Sequence, residues 1–107
     1  MDYEIDEYGT KEWFIEGKLH REDGPAIEWN DGDKKWYKEG KFHREDGPAI
    51  ECADGSEEWY LEGKLHREDG PAIKLSNGYK IYYYLDKRIK CKSDEEYFKL
   101  LKLKAFW

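Results

Sequence analysis

Aliphatic residues, prolines and cysteines are all scarce in this chain. Hydrophobic residues of every kind make up 38% of its 107 residues against 41% charged, with 1 Met, 3 Pro and 2 Cys, and the mean hydropathy is −1.12. No stretch of about 18 apolar residues exists, so no membrane-spanning helix is expected. The opening segment, Met1-Asp2-Tyr3-Glu4-Ile5-Asp6-Glu7, is acidic where a secretory signal is basic and then apolar. A soluble, cytoplasmic chain is expected. Cys52 and Cys91 stand far apart without a C-x-x-C partner, which fits reduced thiols better than a disulfide framework or a zinc site. A glycine-rich phosphate loop, a nucleophile elbow and a His-Glu-x-x-His pair are all missing, so neither catalytic apparatus nor cofactor is expected.

Aromatic residues, by contrast, make up 17% of the chain, with 5 Trp and 9 Tyr. Disordered chains are poor in these, so a folded domain with an aromatic core is expected. The block Glu-Gly-Lys-Leu/Phe-His-Arg-Glu-Asp-Gly-Pro-Ala-Ile occurs at 16–27, 39–50 and 62–73, a period of 23 residues. Trp13, Trp36 and Trp59 keep the same register and Tyr82 continues it. The chain therefore divides, within one repeat domain, into an N-terminal cap half-unit (1–10), three repeats (11–33, 34–56, 57–79), final strands (80–92) and a C-terminal segment (93–107).

Within each unit the punctuation is that of antiparallel strands. Asn30-Asp31-Gly32, Ala53-Asp54-Gly55 and Ser76-Asn77-Gly78 are turn signals, because glycine accepts positive φ and Asn or Asp tolerates it. Alternating segments such as Ala26-Ile27-Glu28-Trp29 precede these turns and aromatic-rich ones such as Glu58-Trp59-Tyr60-Leu61 follow them. The Glu-Gly pairs at 16, 39 and 62 make a second tight turn, and Arg-Glu-Asp-Gly-Pro then breaks the ladder. The expected fold is mainly β, an antiparallel meander of stacked β-hairpin repeats. Trp13, Trp36, Trp59 and Tyr82 line one side of its sheet at a spacing of about 10 Å, two strand widths. That stripe reads as core supported by Ile27, Ile50 and Ile73, with a carbohydrate- or base-stacking platform as the alternative. Ser93-Asp94-Glu95-Glu96 has capping-box form ahead of Tyr97, Phe98, Leu100, Leu101 and Leu103, which places one helix over about Asp94 to Lys104. It is expected to cap the open end or the aromatic face of the sheet, and binding a partner is its other reading.

Trp-Tyr-Lys-Glu-Gly-Lys-Phe-His at 36–43, followed by Ala-Asp-Gly at 53–55, resembles MORN repeats, whose units are of similar length and pair a turn with an aromatic strand. The resemblance covers Lys11 to about Arg88. His-Arg-Glu-Asp-Gly-Pro-Ala stands where that family has a shorter His-Gly-x-Gly, and the longer form looks like a variant found in phage and giant-virus proteins. The resemblance implies a hairpin-repeat fold and protein-protein or phospholipid-headgroup contacts, with no site residue carried over.

The repeated His-Arg-Glu-Asp is the one cluster with the residue types for proton transfer or metal binding. Repetition argues against catalysis, since an active site converges different groups on one reacting atom whereas these recur in identical surroundings. One His with one or two carboxylates per unit is a weak metal shell, so no metal is expected. The candidate binding residues are His20, Arg21, His43, Arg44, His66 and Arg67, a row of donors for an anionic ligand. The competing reading gives them structural roles, in which Asp accepts bonds within its own turn, Arg pairs with a carboxylate of the next unit, and His is an exposed loop side chain.

Residues 1–72 hold 21 acidic and 10 basic residues, net −11, while residues 73–107 hold 4 and 9, net +5. Such a body repels nucleic acid, so no direct nucleic-acid binding is expected. It attracts basic protein surfaces, and the cationic end suits another copy's acidic body, which would give a homo-oligomer. The functional expectation is a non-catalytic protein-binding module, phage-encoded if the resemblance holds, that inhibits a host defence complex in an anti-CRISPR-like way by occupying a partner surface. The alternatives are a sponge in which the arginine row captures a phosphorylated small-molecule signal and a MORN-like structural or membrane-apposed scaffold.

Overall fold

The structure, a computed structural model, describes residues 2–103. Its strands are β1 (Asp2–Ile5), β2 (Lys11–Ile15), β3 (Lys18–Leu19), β4 (Ile27–Glu28), β5 (Lys34–Lys35), β6 (Tyr37–Lys38), β7 (Lys41–Phe42), β8 (Ile50–Glu51), β9 (Glu57–Glu58), β10 (Tyr60–Leu61), β11 (Lys64–Leu65), β12 (Ile73–Lys74), β13 (Lys80–Tyr84) and β14 (Lys87–Ile89). One helix, α1 (Asp94–Leu103), follows. The chain is thus mainly β, an open antiparallel meander with a C-terminal helix, as the repeat pattern indicates. The expectation that the helix reaches Lys104, and the remaining residues to 107, lie outside the described residues, as does Met1.

Ten strands form one sheet in the order β1-β2-β4-β5-β8-β9-β12-β13-β14, with β3 beside β2. Each repeat adds two strands to this ladder. The pairs β6-β7 and β10-β11 form separate small hairpins, each joined to the ladder through its tryptophan. Trp36 and Trp59 give their N–H groups to the carbonyls of Ala49 and Ala72, at 2.6 and 2.7 Å, and the residues beyond leave the ladder to fold back on themselves. The result is an elongated slab of 48 × 30 × 17 Å with a radius of gyration of 15.4 Å. A compact chain of this length would have about 13 Å.

A slab this thin has little interior. Its centre is the Pro-Ala-Ile segment of each unit: Ala26, Ala49 and Ala72 are fully buried, and Ile27 and Ile50 nearly so. Trp13, Trp36 and Trp59 are half-buried, whereas Tyr82, at the same repeat position, is buried. A second aromatic row joins neighbouring units, with Tyr37 stacked on Phe42 at 4.5 Å and Phe42 against Tyr60 at 4.9 Å. The Asp-Gly edge is laced as well. The Ala53 N–H donates to Asp33 Oδ1 at 2.7 Å, and the Ser76 N–H to Ser56 Oγ at 3.0 Å.

The helix closes the C-terminal end. Ser93 caps it, its Oγ accepting the Glu96 N–H at 3.2 Å, and Asp94, Glu95 and Glu96 oppose the positive end of the helix dipole. Tyr97, the largest fully buried side chain among the described residues, packs with Tyr82 and Ile89. Its hydroxyl lies 2.6 Å from the Arg67 carbonyl and 3.1 Å from that of Tyr83, tying α1 to the last repeat. The Tyr82 hydroxyl donates to Asp94, and burial together with that carboxylate pushes the Tyr82 phenol well above its ordinary range. No helix among the described residues is long and apolar enough to cross a membrane. Tyr97→Ala is expected to cost about 3–5 kcal/mol by removing a buried aromatic. Tyr97→Phe, which loses only the hydroxyl, is expected to cost about 1–3 kcal/mol. Urea unfolding of the two variants checks both the size and the order.

Candidate functional site

Each His-Arg-Glu-Asp-Gly-Pro loop is assembled around an arginine laid flat on a tryptophan. The guanidinium carbons of Arg21, Arg44 and Arg67 lie 3.9 Å from the ring centres of Trp13, Trp36 and Trp59. In each loop Nε donates to the aspartate two residues on, Asp23, Asp46 or Asp69, at 3.0, 3.0 and 2.7 Å. Nη1 donates to the carbonyl of Pro25, Pro48 or Pro71 at 3.0–3.1 Å. Glu28 and Glu51 add ion pairs at 3.6 and 3.5 Å, and the third unit carries Lys74 in that place. The guanidinium also lies against the glycine before each proline. A Cβ on Gly24, Gly47 or Gly70 would meet its carbon at 2.9–3.0 Å, so a side chain there would push the arginine aside.

The arginines therefore pair within their own unit, and the histidines join the units. His20 Nδ1 accepts the Glu39 N–H at 2.9 Å, His43 Nδ1 that of Glu62 at 3.0 Å, and His66 Nδ1 that of Leu85 at 3.0 Å. Beside each, the next amide of the turn bonds the carbonyl preceding the histidine: Gly40 to Leu19, Gly63 to Phe42 and Asp86 to Leu65, at 2.8–2.9 Å. An imidazole that accepts at Nδ1 carries its proton on Nε2. Nε2 then faces the glutamate two residues on, at 3.8 Å for Glu22 and Glu45 and 3.2 Å for Glu68. His20 and His66 are buried and the His43 side chain is only 12% exposed, so these are not free loop side chains.

The loop groups that do face solvent are the carboxylates. Glu22, Asp23, Glu45, Asp46, Glu68 and Asp69 are 67–87% exposed and form a row along one side of the slab. Between successive loops run two open clefts of about 600 and 520 Å³, the first floored by Trp36 and His43 and the second by Trp59 and His66. The Nε2 of His43 is buried at the floor of the first without a hydrogen-bond partner among the described residues. The carboxyl of Asp46 is held below the ordinary carboxylate range by the hydrogen bond and charge of Arg44, so it stays ionised.

Sequence reasoning singled out the His-Arg row and passed over the carboxylates as the outward face. The signal was present in the two acids that follow every arginine, but which of the four loop residues points outward is decided by the Arg-Trp stack. Among the described residues no group of three or more His, Cys, Asp or Glu side chains could hold a metal ion. Cys52 and Cys91 are free, and burial raises both thiols above their ordinary range. Compared with protein-family models, curated proteins and solved structures, the chain matches none.

Two measurements check these roles. A double-mutant cycle of Arg44→Ala and Trp36→Ala is expected to show favourable coupling of about 0.5–2 kcal/mol, the worth of a partly desolvated cation-π pair. His43→Ala is expected to cost about 0.5–1.5 kcal/mol by removing the acceptor of the Glu62 amide, and His43→Asn, whose Oδ1 replaces Nδ1 as acceptor, to cost less. Denaturant unfolding of these variants reads both.

Proposed function

We propose that the protein is a non-catalytic protein-binding module whose contact face is the carboxylate row, and that its partner is a protein with a basic surface. One observation carries this reading: the three loops turn their arginines inward onto tryptophan and their glutamates and aspartates outward, identically in each unit. Each loop presents two acids against one base that is already engaged. A field of one sign repeated at about 10 Å steers a cationic surface into place and repels nucleic acid. The same geometry speaks against catalysis, because the Nδ1 of every histidine is occupied by a backbone amide.

It also weakens the case for a phosphate sponge. The guanidinium Nε and Nη1 groups are committed to Asp and Pro, and any anion would approach past the exposed acids. The resemblance to MORN-like phage repeats gives the proposal its more specific form, occupation of a surface of a host defence complex. Its basic surface would normally meet nucleic acid.

The tagged protein, incubated with a bacterial lysate at low salt, is expected to retain a specific protein that is released as ionic strength rises. The Glu22→Gln, Glu45→Gln, Glu68→Gln variant, folded by circular dichroism, is expected to retain at least tenfold less of it. Retention unaffected by salt and by the triple substitution would overturn the proposal. A phosphorylated small molecule bound stoichiometrically, in place of a protein, would favour the sponge.

A further inference from the structure

The three junctions between units share one construction, and the first hairpin carries half of it with no acceptor opposite among the described residues. At each junction a two-residue turn with both residues at positive φ presents two consecutive N–H groups to a histidine Nδ1 and to the carbonyl before it. The φ values are 50° and 80° at Glu39-Gly40, 48° and 83° at Glu62-Gly63, and 45° and 69° at Leu85-Asp86. Glu16-Gly17 has the same geometry, 49° and 77°. Among the described residues no group accepts a hydrogen bond from either of its amides. The turn is therefore formed by its own hairpin, and its amides are preorganised before any acceptor arrives.

We propose that this first turn, whose two amides lie just beyond the Asp2–Phe14 pair of β1 and β2, is a docking site for an extended basic strand of another polypeptide in which an apolar residue is followed by histidine. The site continues the interface that already joins the units, so the chemistry of the occupant follows from the segments that fill it elsewhere: Lys18-Leu19-His20-Arg21, Lys41-Phe42-His43-Arg44 and Lys64-Leu65-His66-Arg67. Charge agrees. Glu16 stands in the turn itself, and Glu4 and Glu12 pair along the strands that lead to it, which suits a strand flanked by Lys and Arg. Tyr3 adds an apolar platform, stacked on Trp13 at 5.3 Å while still 55% exposed.

A second copy of this chain is not the occupant, because its three apolar-His pairs are engaged within their own array. Its last unit has Ile89 where the others have histidine, buried with Tyr97 under the helix. The residues involved are distinct from the carboxylate row, so the two readings stand or fall separately.

The test tethers the strand Lys-Leu-His-Arg ahead of Met1 through a flexible linker of about ten Gly and Ser residues, which holds it near millimolar effective concentration. Amide exchange is followed by NMR in the whole chain with and without the tether. In the untethered chain the Glu16 and Gly17 amides are expected to exchange freely while those of Gly40 and Gly63 are protected. The tether is expected to slow Glu16 and Gly17 at least threefold, and a tether with Ala in place of His is expected not to. Protection already present in the untethered chain, no slowing with the tether, or equal slowing with the Ala tether would each overturn the proposal.

Discussion

The fold depends on a turn that makes no use of its own amides. In a two-residue hairpin turn with positive φ at both positions, two neighbouring N–H groups point away from the hairpin, and the unit before supplies a histidine nitrogen and a carbonyl to receive them. A non-glycine residue at such a φ carries a cost of about 1–2 kcal/mol, of the same order as the net worth of one good hydrogen bond. Glutamate at 16, 39 and 62 and leucine at 85 accept that cost wherever they occur, so the strain belongs to the hairpin and the junction makes use of the exposed amides. The contacts between units then join residues no more than about one repeat apart, which is why a slab with so small an interior can be assembled from 23-residue pieces.

The arginine-tryptophan stack has a different consequence. A half-buried indole would otherwise leave one face to water. Covering it with a guanidinium keeps the apolar area out of solvent, fixes the loop through Asp and the proline carbonyl, and leaves the loop's remaining charges, its glutamate and aspartate, to face outward. The outward chemistry of the molecule is thus set by an inward contact. Arginine suits this position where lysine does not, because its planar fork stacks on the ring and donates in two directions at once.

The period, the strand pattern, both turn classes and the capped helix were legible in the sequence, because each rests on local chemistry: glycine and Asx residues at turns, alternation in strands, Ser-x-x-Glu at the helix start. The state of Trp13, Trp36 and Trp59 was not. An aromatic recurring on one face reads as core, yet all three indoles stay half-buried, in the unbroken strand at Trp13 as in the divided ones at Trp36 and Trp59, because the slab is too thin to enclose them. The rings are left half-exposed for an arginine to cover. Only Tyr82, under the helix, is buried as a core residue would be. The histidines misled for a related reason. Placed between a strand and a loop, they look like surface groups, and their burial comes from a turn 19 residues further on, a distance no local pattern encodes.

The central claim is that the units are joined by identical, interchangeable junctions, and excision of one unit tests it most directly. Deleting residues 34–56 joins Asp33 to Glu57 in register and sets His20 against the Glu62-Gly63 turn, the same acceptor and the same donor geometry that each meets now. The shortened chain is expected to unfold cooperatively in urea with a smaller m-value, and its Glu62 amide is expected to stay protected from exchange. A shortened chain that is unfolded, or folded with the Glu62 amide exposed, would contradict the account.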